Sequence, residues 1–179
     1  MLDPSAVQIH FADLQEEIIG SSATNPREAI GRAVRVLARL AGLLDIPVTV
    51  SAVPMPGGPR LIAEVPEAPV ALRTGPSAWD DPAIQAAITG LRRPVLVVCG
   101  VVTEMVILHT ALDALAAGCT VHVAVDACGG LSARTEQVAF SRMEAAGAQL
   151  TSAASLAGDL VRDFASPVGQ QALGAVFSG

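Results

Sequence analysis

Pro94-Val95-Leu96-Val97-Val98-Cys99-Gly100-Val101-Val102-Thr103-Glu104-Met105-Val106-Ile107-Leu108-His109-Thr110-Ala111-Leu112-Asp113 reads as a buried strand, a glycine turn and the opening turns of a helix. Val95 to Cys99 is unbroken aliphatic and β-branched sequence, the pattern of a parallel strand covered on both faces rather than a half-wet one. Gly100 lets the backbone turn tightly. Thr103 predicts an N-cap and Glu104 suits the positive first turn of a helix. Beyond it Val106, His109, Thr110 and Asp113 recur at i, i+3, i+4 and i+7 and share one stripe. A strand feeding a helix N-terminus is where open α/β sheets place ligands.

The flanking sequence repeats this alternation. Upstream, Val7, Ile9, Phe11 and Asp13 fall on one face of a strand from Ala6 to Asp13. Asn25-Pro26-Arg27-Glu28 combines a capping residue, a proline at the first helical position and a glutamate three residues after the cap. It predicts a helix to about Asp45, with Ile30, Val34, Leu37, Leu40 and Leu44 on the apolar side and Arg27, Arg32, Arg35 and Arg39 on a solvated or interface face. Pro47 to Val53 and Pro69 to Arg73 read as the second and third strands, and Asp81-Pro82 opens a helix to about Leu91. Downstream of the central helix, which Gly118 ends, Thr120 to Asp126 is a fifth strand. Ser132 caps a helix to Ala146, Gln149 to Thr151 is a short sixth strand, and Ser155 to Phe164 is a last helix. The order predicts an α/β fold in three layers, a doubly wound, six-stranded, mostly parallel sheet with helices on both faces, formed by residues 1–179 as a single domain.

Composition narrows the function. Only 16% of the 179 residues are charged, against roughly 25% in an average soluble domain. So little charge predicts that part of the surface is buried in a homo-oligomer, a dimer or higher. Each apolar run is punctuated by Arg, Asp, Gly or Pro before it reaches the ~20 residues of a membrane span, and the N-terminus lacks a basic segment followed by an apolar one. The expectation is a cytoplasmic protein without membrane association. A net charge of −6 and eleven scattered basic residues argue against a nucleic-acid surface. All eleven are arginine, which removes Schiff-base chemistry. Cys99, Cys119 and Cys128 lack metal-ligand spacing and are expected to stay reduced. No cofactor or metal site is expected, and the partner is expected to be a small-molecule substrate.

The central stretch resembles the signature of the isochorismatase-like hydrolases, Gly-Val-x-Thr-x-x-Cys-Val-x-x-Thr-Ala-x-x-Ala. Gly100, Val101, Thr103, Thr110, Ala111 and Ala114 match it at one fixed spacing, and the Val-x-Val-x-x-Asp-Ala of Val121 to Ala127 follows. The segment from Gln137 is similar to the YcaC-like branch. In that family the strand-one aspartate closes a Val-Ile-Asp-x-Gln pattern, which Phe11 to Gln15 fits, and the resemblance implies Asp13 as the principal site residue with Gln15 beside it. It also implies an arginine at the end of strand three followed by an Ala-Trp element, which Arg73 and Trp79 match with a shorter intervening loop. Trp79 reads equally as a packing residue, a subunit contact or a substrate wall. The metal-dependent members carry a His and Asp cluster near residues 54–59, and this chain has none.

The family's catalytic cysteine position is Val106. Valine has no nucleophilic or acid–base atom, so amide hydrolysis through a thioester at this position is excluded. The resemblance leaves the chemistry of the cysteine-free isochorismatase members, with Asp13 as general acid or base, Arg73 beside it, and the backbone N–H groups of Val102 and Val106 facing the same pocket with Thr103. This implies vinyl-ether-type C–O hydrolysis, or a related isomerisation or cyclisation, of a small anionic molecule. His109 is read as a proton donor to the pocket or as a subunit contact, and Cys128 as a pocket residue or an inert thiol. The contrasting expectation is a catalytically silent pseudoenzyme that keeps the pocket as a ligand-binding or oligomeric scaffold.

Overall fold

The computed structural model describes residues 2–177. Six parallel strands form one sheet in the order β3-β2-β1-β4-β5-β6: β1 Val7–Ala12, β2 Val48–Ala52, β3 Val70–Leu72, β4 Val95–Val101, β5 Thr120–Gly129 and β6 Gln149–Thr151. Every ladder is parallel, so the mostly parallel sheet read from the sequence is wholly parallel among the described residues. The chain steps outward from β1 to β2 and β3, then returns to the other side of β1 as β4. That reversal opens a crevice at the carboxyl ends of β1 and β4.

The helices are α1 Glu16–Ile19, α2 Arg27–Leu43, α3 Pro82–Gly90, α4 Leu108–Ala116, α5 Ala133–Ala145, α6 Ala153–Leu160 and α7 Pro167–Phe177. Right-handed crossovers send helices that follow opposite steps along the sheet to opposite faces. Accordingly α2 packs with α6 and α7, whereas α4 packs with α5. All six residues of β1, alternate faces included, are buried, as a strand covered on both sides requires.

Four local readings change. Asn25 does not cap α2; Pro26 occupies that position without a side-chain bond, and the Asn25 amide instead donates to Val125 O and Cys128 O at 3.1 and 2.9 Å. The reason lies in β5, whose pairing with β4 jumps from Val98↔Val123 to Gly100↔Cys128. The bulged residues leave carbonyls outside the ladder, and buried carbonyls need donors. Thr103 is likewise not a side-chain cap, because Val102 is the capping residue and Thr103–Ile107 forms one π-helical turn before α4. The last predicted helix begins earlier, capped by Ser152, and α7 follows a turn in which Ser166 Oγ accepts from Gly169 N. The sequence reading missed α7 because its small residues make weak helical periodicity.

Candidate functional site

The crevice is shaped first by glycine. Gly100 pairs with Ala12 across β1 and β4 and holds φ +144°. A Cβ at that position would fall inside van der Waals contact of the Ala12 carbonyl. Only glycine lets the ends of these two strands lie this close. Immediately after Ala12, Asp13 takes φ +51°, a left-handed conformation that aspartate tolerates better than most residues. Its N–H donates to Ser51 O at 3.0 Å, and Ser51 is fixed in turn by its hydroxyl contact with His10 Nε2 at 3.0 Å. His10 also meets Thr49 Oγ1 at 2.8 Å. Burial, with the Arg73 charge adding to it, lowers the His10 pKa to about 3, so the ring is a neutral strap between β1 and β2.

Asp13 and Arg73 face each other in an ion pair, with 5% and 3% of their surfaces exposed. Arg73 follows β3, where its N–H donates to Ala52 O at 3.0 Å. Its two terminal nitrogens donate to Asp13 Oδ2 and to Gly75 O. Asp13 Oδ1 and Arg73 Nε are buried and have no hydrogen-bond partner among the described residues. Burial pushes the Asp13 carboxyl up to about 6, and the charge and hydrogen bond of Arg73 oppose that rise without cancelling it. Desolvation therefore wins over pairing here. The result is a carboxyl that can hold or release a proton near neutral pH.

A cavity of about 440 Å³ opens onto this pair, with Val102, Val106, Met105, Val53, Ile18 and Pro76 among its walls. Four of the residues read from the sequence meet here: Asp13, Arg73, Val102 and Val106. Five do not line it. Gln15 is wholly buried, its amide donating to Val53 O at 3.1 Å and accepting from Val53 N at 2.9 Å. It thus shapes one wall through the backbone instead of touching a ligand. Thr103 is buried and donates to Glu136 Oε1 at 2.8 Å, tying the π-turn to α5. Trp79 lies in a short 3-10 turn, Ala78–Asp80, which Thr110 anchors by accepting from Ala78 N at 2.9 Å. Cys128 is wholly buried opposite Gly100, and burial pushes its thiol up to about 12.

His109 is half-buried on α4 and outside the cavity lining. The helical stripe that joins it to Val106 in an ideal α-helix starts one π-turn too late, which rotates the two residues apart. Val53, Met105 and Glu136 had not been singled out. Val53 was read only as the end of the second strand and lies one residue beyond β2, whereas Glu136, four residues after the Ser132 cap, follows from helix geometry alone. Among the described residues no cluster of three or more His, Cys, Asp or Glu could hold a metal ion, and no helix is long and apolar enough to cross a membrane.

Residues 9–155 match the Isochorismatase domain family model, and the chain belongs to that family. It is 33% identical over 165 residues to isochorismatase domain-containing protein 2A of Mus musculus, covering 92% of this chain and 79% of the mouse protein. It is 30% identical over 183 residues to the probable hydrolase YcaC of Escherichia coli K12, covering 99% and 87% of the two chains. The solved structure of YcaC from Pseudomonas aeruginosa, with hexane-2,5-diol and covalent acrylamide, superposes with a TM-score of 0.91 at 28% identity, over 99% of this chain and 92% of that one. The Escherichia coli YcaC structure, described as an octameric hydrolase of unknown specificity, gives 0.89 at 29% identity, over 99% and 89%. The chain is thus an isochorismatase-family, hydrolase-like protein with a YcaC-like fold.

Proposed function

We propose that this protein is an isochorismatase-family enzyme that works without a cysteine nucleophile, with Asp13 as general acid or base toward a small molecule in the 440 Å³ cavity. The reaction is C–O hydrolysis of the vinyl-ether type, or a related isomerisation or cyclisation. One observation carries this reading: Asp13 reaches the cavity with its proton affinity raised by burial and with Oδ1 unpartnered, while residue 106 beside it is an aliphatic wall. A carboxyl poised near the working pH is what proton transfer asks for. The anionic substrate expected from an open guanidinium has less behind it, because both terminal nitrogens of Arg73 are engaged. Turnover of a panel of cyclic vinyl ethers, read by ultraviolet absorbance, tests the proposal. Wild type should be active and Asp13→Asn slower by about 100-fold or more, with an unchanged circular dichroism spectrum. An Asp13→Asn variant with full activity would place the chemistry elsewhere.

The second reading, a silent scaffold, has one observation in its favour: the Asp13–Arg73 pair is closed on itself and Val106 offers no reactive atom. Under it, wild type binds ligands and turns none over. Under either reading the protein is cytoplasmic and assembles as a homo-oligomer. The octamer described for the Escherichia coli relative supports the assembly, as do Met105, Leu131 and Val138, each more than half exposed near the π-turn and α5.

A further inference from the structure

The chemical character of the cavity narrows its ligand further than the reaction type does. Its walls are aliphatic, and it has two charged groups, Asp13 and Arg73, whose opposite charges already meet. Both side chains are more than nine-tenths buried. After the ion pair and the bond to Gly75 O are made, each terminal nitrogen of Arg73 has one partner, and two buried atoms have none: an acceptor, Asp13 Oδ1, and a donor, Arg73 Nε. We propose that the cavity takes an uncharged, largely apolar molecule carrying a hydrogen-bond donor beside an acceptor, as in a hydroxy-ketone, the donor meeting Asp13 Oδ1 and the acceptor meeting Arg73 Nε–H. The inference rests on the reading of this cavity as the substrate site.

An anion fits less well for a definite reason. With Asp13 ionised, it would leave the site with net negative charge among Ile18, Val53, Val106 and Met105, where desolvated charge without a partner is costly, so an anion that leaves the pair in place binds only at the further cost of protonating Asp13 above its pKa. Its alternative is to displace Asp13 from Arg73, which exchanges one carboxylate–guanidinium pair for another and strands Asp13. An uncharged donor and acceptor instead satisfy two orphaned atoms without breaking a bond already made, and hydrogen bonds to charged groups are among the stronger neutral-ligand contacts. The hydrocarbon remainder of the ligand gains from the aliphatic walls.

Isothermal titration calorimetry of the full-length protein with phenacyl alcohol, its methyl ether and mandelate tests this. Phenacyl alcohol has the donor, the acceptor and no charge; the ether lacks the donor; mandelate keeps the ring and hydroxyl and adds a carboxylate. The expected order is phenacyl alcohol bound tightest, with the ether and mandelate weaker by about tenfold or more, the worth of one hydrogen bond to a charged group. In Asp13→Asn, Arg73 is released and mandelate should overtake the alcohol. The proposal fails if mandelate or the ether binds wild type as well as the alcohol does, if the alcohol does not bind, or if Asp13→Asn keeps the wild-type order. The wild-type ranking decides the matter even where the variant does not fold. Binding is read without turnover, so the two readings fail separately. Wild type preferring mandelate overturns the ligand class and leaves Asp13 catalysis standing, whereas an active Asp13→Asn variant overturns the catalysis and leaves the wild-type ranking untouched.

Discussion

Asp13→Asn should change how stability depends on pH in a direction that tells burial from pairing. The Asp13 carboxyl is pushed up to about 6 from its ordinary 3.8 by burial, although Arg73 pulls the other way. Below about pH 4 the group is protonated in folded and unfolded chains alike and contributes nothing to the difference. Between about 4 and 6 the unfolded chain ionises first, so the folded state loses stability as pH rises through the raised value. The loss is on the order of 3 kcal/mol when fully developed, from about 1.4 kcal/mol per tenfold change in proton affinity. The asparagine of the variant does not titrate, so the loss vanishes with the carboxyl. Urea unfolding of wild type and Asp13→Asn across this range, at one protein concentration, reads the effect as the difference between two stability curves, which removes the other carboxylates. Wild type should lose ground to the variant as pH rises. A wild type that gains ground would mean that Arg73 outweighs burial and that Asp13 is an ordinary ionised partner, and the acid–base reading would go with it.

Gly100→Ala combines a disfavoured φ with a collision against the Ala12 carbonyl, so it should cost about 3 kcal/mol or more and shift Asp13; a urea midpoint within error of wild type would refute the close-approach argument. Val106→Cys should cost under about 1.5 kcal/mol and place a thiol on the cavity wall; residue 106 is buried like Cys99 and Cys128 but, unlike them, lines the cavity, so brief iodoacetamide treatment should label it before either, and mass spectrometry showing either native thiol modified first would contradict the placement of residue 106 on the cavity wall. Wild type should keep its activity after alkylation of accessible thiols. Light scattering at micromolar concentration should find a dimer or larger assembly, and a stable monomer would remove the oligomer from the proposal.

The parallel six-stranded sheet was legible from local sequence patterns, and the candidate pair Asp13 and Arg73 from the family resemblance, whereas the strand order was not read from the sequence. An uninterrupted aliphatic run marks a doubly covered strand, and the family resemblance implied an aspartate and an arginine at the carboxyl edge of one parallel sheet, where their side chains meet across the end of the intervening β2. The roles of Gln15, Thr103 and Asn25 were not legible, because each is decided by a distant backbone or side-chain group. Gln15 finds Val53, Thr103 finds Glu136, and Asn25 finds carbonyls released by a bulge in β5. Capping propensity competes with such long-range demands and loses where an otherwise unpaired buried carbonyl is at stake. That His109 lies outside the cavity lining has a different origin, since a single π-turn resets the helical phase and no propensity scale marks where that happens.

On the proposed reading, that π-turn also accounts for a family geometry that survives without sulfur. Val102, Met105 and Val106 reach the cavity on a segment pinned at both ends by contacts that ignore the side chain at 106. Gly100 admits the close approach to Ala12 on one side. On the other, Thr103 donates to Glu136, while Glu104 accepts from Leu131 N at 2.9 Å and from Thr135 Oγ1 at 2.6 Å. All four partners of these two side chains and of Gly100 lie in β1 or around the start of α5, so a valine in place of a cysteine removes a reactive atom while adding aliphatic wall at nearly constant volume. On that reading the shape of the pocket does not depend on a nucleophile at residue 106. A cavity that keeps a protonatable carboxyl, gains hydrocarbon and leaves one acceptor and one donor unsatisfied is suited to proton transfer on an uncharged ligand, where its thiol-bearing counterpart would be suited to covalent chemistry.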